Sequence, residues 1–158
     1  MADSTVEMTT DEVDRRILRA LQDDGRISIV DLADRVGLSP TPCNRRVRKL
    51  EEAGLISGYS ARIDHKAAGF GITAFVSVEL ERQQGEEITR FQSRVAQFEE
   101  VVTGALMTGS QDFLLEVVVG SLEEYELFLQ SRLMKVPGVR AVRSRFALRK
   151  FISRSRIP

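Results

Sequence analysis

Between Leu38 and Leu55 the chain reads LSPTPCNRRVRKLEEAGL, which sets Arg45, Arg46, Arg48 and Lys49 within five positions and places Thr41 and Asn44 just ahead of them. Two prolines precede the cluster, and each lacks an N–H and fixes its own φ at about −65°. Both fit a helix if Ser39 is the N-cap. Pro40 then falls at N1 and Pro42 at N3, where N–H groups have no intrahelical partner in any case. From there Cys43, Val47 and Leu50 recur at i, i+4 and i+7 as one apolar stripe, and Gly54 supplies a stop. Thr41, Asn44, Arg45, Arg48 and Glu52 fall on a different face. The spacing therefore predicts a helix with one buried side and one cationic, hydrogen-bonding side. That second side is concentrated toward the N-terminus, the end of a helix that carries positive potential, and it suits an anion.

The elements that must position this helix are also legible. Val13, Ile17, Leu18 and Leu21 space as one helical face that ends at Asp23-Asp24-Gly25. A second, short helix begins at Ser28 or Ile29 and turns Val30, Leu32, Ala33 and Val36 inward. Gly37 and Leu38 then lead into the proline-headed helix. Ala33 followed by Gly37 is what a tight crossing of two helices demands, so the spacing is that of a helix-turn-helix. After Gly54, LISGYSARID reads as a short strand and connector, and HKAAGFG as a boundary.

From Ile72 the period changes. ITAFVSVEL alternates as a strand, and GEEITRFQSRVAQF places Ile88, Phe91, Val95 and Phe98 on one helical face. VVTGALMTG and DFLLEVVVG are apolar strands flanking a glycine-bearing turn. SLEEYELFLQSRLMKV follows as a helix, with Ser121 as N-cap and Glu124 completing a capping box, and PGVRAVRSRFALRKF returns as a long strand. The order β-α-β-β-α-β predicts a ferredoxin-like four-stranded antiparallel sheet with two helices on one face. Its middle strands read as apolar on both faces, which predicts that a second subunit covers the other. The fold class is therefore α+β: residues 1–64 as a winged-type helix-turn-helix domain, 65–71 as a linker, and 72–158 as a βαββαβ domain.

Composition agrees with two small domains, since 158 residues with 42% hydrophobic content suffice for both. No run of 18 apolar residues exists to cross a bilayer, and the first residues, MADSTVEMTTDEVD, are acidic and polar, so a cytoplasmic protein is expected. Cys43 stands alone and excludes an intramolecular disulfide or a cysteine zinc framework. Formal charge balances at 23 basic and 23 acidic residues, yet the balance hides a split. Residues 1–69 carry eleven cations and twelve acids, residues 70–135 five and eleven, and residues 136–158 seven cations and no acid. Overall charge thus says little about either basic patch.

These residues converge on a family. ISIVDLADRVGLSPTPCNRRVRKLEEAGLI, LMTGSQDFLLEV and VPGV resemble the Lrp/AsnC (feast/famine) transcriptional regulators, over nearly the whole chain from Asp11 to about Ile157. The resemblance implies an N-terminal DNA-binding helix-turn-helix, a C-terminal domain that dimerises and often builds octamers, and an amino acid bound between subunits. Double-stranded DNA, an amino-acid effector and further copies of this chain are accordingly the expected partners, with no membrane, metal or cofactor.

On this reading the proline-headed helix lies in the major groove, with Ser39, Thr41, Asn44, Arg45, Arg46, Arg48 and Lys49 nearest base edges or phosphates. The alternative is a solvated helix face. Backbone N–H groups around Gly109, Ser110 and Gln111 can receive a carboxylate while Asp112 pairs with an ammonium, the two charges of a free amino acid. A plain hairpin turn is the alternative there. Ser144, on the family's pocket-facing strand, adds a hydrogen bond from a neighbouring subunit, while Leu106 and Met107 are expected in the core. Cys43 lies on the inward stripe and reads as packing, and His65, the sole histidine, as a surface residue.

Two further functions compete. An architectural DNA-binding protein would oligomerise and bend DNA without any effector, and the aromatic that often precedes the aspartate in this family is absent from GSQDF, where Gln111 stands instead. An amino-acid-handling enzyme would need a nucleophile–base pair, a metal cluster or a phosphate loop, none of which the sequence offers.

Overall fold

The structure, a computed structural model, describes residues 10–82 and 84–152. The chain divides into two compact units that change over between Arg62 and Ile63. The first holds three helices: α1 (Glu12–Asp23), α2 (Ile29–Val36) and α3 (Pro40–Glu52).

The first two helices start where the sequence supplies a side-chain cap. Asp11 accepts the Asp14 N–H at 2.8 Å while the Asp14 carboxylate accepts the Asp11 N–H at 3.2 Å, so two of the free donors of α1 are satisfied reciprocally. Ser28 caps α2 by accepting the Asp31 N–H at 3.1 Å. Gly37 closes α2 in the left-handed region at φ 71°, and the Leu38 N–H returns to the Ala33 carbonyl at 2.9 Å. Only this sharp reversal lets α3 start two residues later, with Ser39 as N-cap and Pro40 at its first position. Ile17, Ala20, Leu32, Ala33, Val36, Cys43, Val47 and Leu50 form the core, each fully or nearly fully buried. Fully burying a Val or Leu side chain contributes about 1.5–3 kcal/mol, so this packing rather than helix propensity holds α3 in place.

Two expectations fail in this unit. Val30 is 57% exposed instead of inward, because Ile29 occupies the buried edge of α2 and Val30 falls on the turn that carries Asp34. The strand expected within LISGYSARID is also absent among the described residues. The N–H groups of Leu55 and Ile56 turn back to the Leu50 carbonyl, at 3.0 and 3.2 Å, to finish α3. Tyr59 then donates to Glu51 at 3.0 Å, its ring against Gly25. A strand needs a ladder partner, and the described residues of this unit offer none.

The second unit carries β1 (Ile72–Leu80), α4 (Gly85–Val95), β2 (Val101–Leu106), β3 (Phe113–Val119), α5 (Leu122–Ser131) and β4 (Val139–Phe146). Its antiparallel sheet has the order β2-β3-β1-β4, as the β-α-β-β-α-β succession requires. Before β1, the Ala68 and Phe70 N–H groups bond back to the Asp64 and His65 carbonyls, so residues 64–70 form a closed turn belonging to this unit. Strand periodicity points Ala74, Val76, Val78 and Leu80 of β1, and Phe113, Leu115, Val117 and Val119 of β3, toward Phe91, Val95, Phe98, Tyr125, Phe128 and Leu133. The Ser121 hydroxyl caps α5, but the Glu124 carboxylate accepts the Gly120 N–H rather than that of Ser121, so the expected box closes one residue early.

The opposite face is less apolar than expected. Phe75, Leu114 and Val118 share it with Ser77, Glu79 and Glu116, and its acids are already paired. Glu79 accepts hydrogen bonds from Arg140 at 2.5 Å and from Arg143, and Glu116 pairs with Lys150.

Candidate nucleic-acid interface and effector turn

Burying Cys43, Val47 and Leu50 fixes which side chains of α3 leave it outward. Ser39, Thr41, Arg45, Arg48 and Lys49 are exposed and Asn44 is half-buried. Thr41, Arg45 and Arg48 follow one another at i, i+4 and i+7, so they form a single stripe spanning roughly 10 Å of helix rise. Ser39 makes no side-chain cap bond, which leaves its hydroxyl at the open N-terminus. Among the described residues Arg45, Arg48 and Lys49 enter no ion pair, so three guanidinium or ammonium charges face solvent along the middle and last turn of the helix.

Arg46 departs from the group in which the sequence places it. Its Nη1 donates to Asp11 Oδ2 at 2.7 Å and to Asp14 Oδ1 at 2.8 Å. The Asp14 N–H and the Arg46 guanidinium hold the Asp11 carboxyl below its usual range, and the two carboxylates raise the Arg46 pKa in turn. Helical geometry explains the separation: Arg46 lies one residue before Val47 on the α1-facing edge, whereas Arg45 and Arg48 are rotated outward. Charge density in the sequence could not distinguish them, because the two acids come from a segment over thirty residues earlier.

The turn between β2 and β3 holds the second predicted cluster. Gly109 adopts φ 111°, a conformation that L side chains rarely take, and Gly109 and Ser110 are exposed with Gln111 half-buried. Met107 N–H and Asp112 carbonyl close the hairpin at 2.8 Å. Among the described residues, the N–H groups of Thr108, Gly109, Ser110 and Gln111 donate to no protein acceptor. This turn therefore presents a run of free amide donors.

Asp112 is not the exposed carboxylate the sequence suggests. It is 8% exposed, and its Oδ2 accepts the Leu80 N–H at 2.6 Å while its own N–H donates to the Val78 carbonyl at 3.0 Å. The reason lies in the ladder. The β1–β3 register runs out at Val78 and Phe113, and the β1–β4 register shifts between Glu79 and Leu80, so the Leu80 N–H needs another acceptor. Ser144 likewise has an engagement of its own. It pairs with Val76 across β1, and its hydroxyl shares a short hydrogen bond with Tyr125 of α5. Within one chain β1 separates it from the 109–112 turn, and the structure does not bring the two together.

One feature near the turn escaped the sequence reading. A cavity of about 350 Å³ lies between α4 and the edge strand β2, lined by Phe91, Val95, Val101, Leu106, Phe113 and Leu115 among others. Leu106 and Met107, expected in the core, are 56% and 42% exposed at the end of β2 that leads into the turn. Among the described residues no strand lies beyond β2, which accounts for both findings, and no periodicity within β2 itself announces an edge.

A three-helix unit that presents an unpaired cationic α3, followed by a βαββαβ unit with a donor-lined turn, is the architecture of a helix-turn-helix protein with an appended α+β domain. Comparison with known proteins agrees. Residues 10–57 match the family described as winged helix-turn-helix DNA-binding, and residues 73–157 match the Lrp/AsnC ligand binding domain. The Bkd operon transcriptional regulator of Pseudomonas aeruginosa is 47% identical over 94% of this chain and 97% of its own length. The leucine-responsive regulatory protein of Rhizobium meliloti is 41% identical over 92% and 93%. Among solved structures, a transcriptional regulator of Neisseria meningitidis in complex with L-Met superimposes with a TM-score of 0.90 at 32% identity, covering 95% of this chain and 97% of the other. The chain belongs to the Lrp/AsnC family of transcriptional regulators. Both matched families are named for binding, of DNA and of ligand, and neither for catalysis.

The buried role of Asp112 leads to a stability forecast. Asp112→Ala orphans the Leu80 N–H and is expected to destabilise the sheet unit by about 1–3 kcal/mol, whereas Asp112→Asn, which keeps an acceptor oxygen, costs less. Urea titration of the three proteins checks this, and equal midpoints would remove Asp112 from the strand-end bond.

Proposed function

We propose that this protein is a sequence-specific transcriptional regulator of the cytoplasm whose DNA occupancy or assembly responds to a small amino acid. In this reading residues 1–64 bind DNA, 65–71 link, and 72–158 sense the effector and oligomerise. The observation that carries it is the pairing of an unpaired cationic stripe on α3 with a turn of free amide donors in a second unit. Thr41, Asn44, Arg45 and Arg48 enter the major groove, with Ser39 and Lys49 on flanking phosphates. An amino acid's carboxylate is received by the N–H groups of Gly109, Ser110 and Gln111, and Asp112 braces that turn from beneath while offering its charge to the ammonium. The apolar cavity beside Leu106 favours an effector with an apolar side chain, and the L-Met complex of the Neisseria relative is of that kind.

Phe75 and Leu114, half-buried on the sheet face without helices, support a homodimer formed there, with octamers built from such dimers and Ser144 completing a partner's site. A ligand that binds one assembly or DNA-bound state more tightly than another shifts the population between them, and equal binding would shift nothing. An effector-independent architectural protein is the reading to beat, and ligand response separates the two.

Three measurements test these assignments. Arg48→Ala is expected to weaken DNA binding and lower the salt slope by about one unit; an Ala variant unchanged at every salt concentration would take Arg48 out of the interface. In a thermal-shift screen against the twenty amino acids, at least one with an apolar side chain should raise the wild-type midpoint, because a ligand bound only to the folded state stabilises it. Gly109→Val should abolish that shift while retaining DNA binding, and a screen without any response would favour the architectural reading. Phe75→Glu should drive the full chain toward monomer in sedimentation at micromolar concentration, since it places a charge on the face a second copy would cover. A variant that remains assembled like the wild type would move the interface elsewhere.

A further inference from the structure

Arg46 stands in the middle of the cationic run of α3, yet its guanidinium is spent within the three-helix unit. Both of its acceptors are fixed before it arrives. Asp11 and Asp14 already hold each other's backbone N–H in the box that starts α1, and Asp14 is 9% exposed. One nitrogen, Nη1, reaches both carboxylates, at 2.7 and 2.8 Å. One cation between two acids leaves the local sum negative, which makes this the poorest phosphate ligand of the cluster.

We infer that Arg46 is a positioning residue for DNA recognition: by bridging Asp11 and Asp14 it sets the rotation of α3 about its own axis, and so the direction in which Asn44, Arg45 and Arg48 leave the helix. The inference rests on the reading of α3 as the DNA-facing helix. Its physical ground is the nature of the core between α1 and α3, to which Ile17, Ala20, Cys43, Val47 and Leu50 contribute. Apolar contact is not directional and tolerates a small roll of one helix against another. Hydrogen bonds from a planar guanidinium to two anchored carboxylates do not, because they weaken steeply off axis. Arg45 is the preceding residue in the chain, about 100° around the same helix, so any roll that breaks the clamp sweeps Arg45 and Arg48 away from their register.

The test uses the full chain, a duplex recovered from a random pool by selection on the wild type, and a scrambled duplex of equal composition. Measurements are made well below the thermal midpoint of the least stable variant. Arg46→Gln, Asp14→Asn and Asp11→Asn are each expected to lose about tenfold in affinity for the selected duplex, the worth of one misaligned base contact. Affinity for the scrambled duplex and both salt slopes should stay as they are. The Asp11→Asn, Arg46→Gln double variant should be no weaker than the worse single variant, because the two act through one contact. Arg46→Lys, which keeps the charge on a side chain about one bond shorter, should fall between. Asp11 is exposed, so its variant carries the test even if Asp14→Asn does not fold. A salt slope lowered by about one in Arg46→Gln, with the aspartate variants neutral, would make Arg46 a phosphate contact instead. Lower thermal midpoints with all affinities unchanged would reduce the clamp to fold stability, and both results overturn the inference. A wild type that binds its selected duplex no better than the scrambled one would refute sequence-specific recognition itself, before any variant is compared.

Discussion

The outward face of α3 is determined by what its inward face must bury. Cys43, Val47 and Leu50 can reach the core formed by α1 and α2 only within a narrow range of rotation of the helix, and that range sends Thr41, Arg45 and Arg48 to solvent. Any surface α3 offers is thus a by-product of packing. The setting depends in turn on Gly37, since the chain must leave α2 through a left-handed residue to bring Ser39 to the start of a helix that crosses it closely. Ala33, wholly buried, keeps the crossing tight. Exposed cations on such a frame need no partner to stay soluble, and a surface ion pair would contribute only about 0–1 kcal/mol if they had one. Their freedom costs the fold little and leaves their charge available.

The sheet unit follows a comparable logic with period two. One set of alternating residues in β1 and β3 must cover Phe91, Phe98, Tyr125 and Phe128, which forces the other set onto the uncovered face. Where the two ladders of β1 stop matching, at the shift between Glu79 and Leu80, a buried N–H is left over, and the chain answers with Asp112. The same residue therefore terminates a strand and anchors a turn. This arrangement holds Gly109, Ser110 and Gln111 out from the sheet with their donors free, because the bonds that fix the hairpin belong to Met107 and Asp112 at its base.

The sequence revealed the elements whose partners lie nearby in it, and it concealed those decided by distant residues. Helical stripes, the proline-headed start at Ser39 and the β-α-β-β-α-β order all depend on local period and local caps, and the structure holds them. LISGYSARID has strand composition but no ladder partner among the described residues of its unit, and composition alone does not supply one. Val30 was misplaced because α2 has two adjacent β-branched residues, Ile29 and Val30, and only tertiary packing decides which turns inward. The exposure of Leu106 and Met107 follows from strand order, which no single strand encodes. For the sites, the cationic patch was legible as a patch, while the occupation of Asp112 by Leu80 and of Ser144 by Tyr125 arises from pairings between strands and helices far apart in the chain.

Arg46 shows why a charge run should be resolved into its members. Four cations adjacent in sequence share composition and solvent preference, but a helix distributes consecutive residues around its axis at about 100° intervals, so they cannot share one environment. In α3 the run straddles the edge between the buried stripe and the open face. Arg45 and Arg48 fall on the open side, and Arg46 falls where α1 presents the two carboxylates of its own cap. The acids that begin α1 serve first to satisfy its N-terminal donors, and their remaining oxygens are what a guanidinium can reach. Helix initiation at Asp11 and the orientation of α3 are thereby coupled through a single side chain. A residue that counts as part of the binding surface by sequence is, by geometry, part of the mount that aims it.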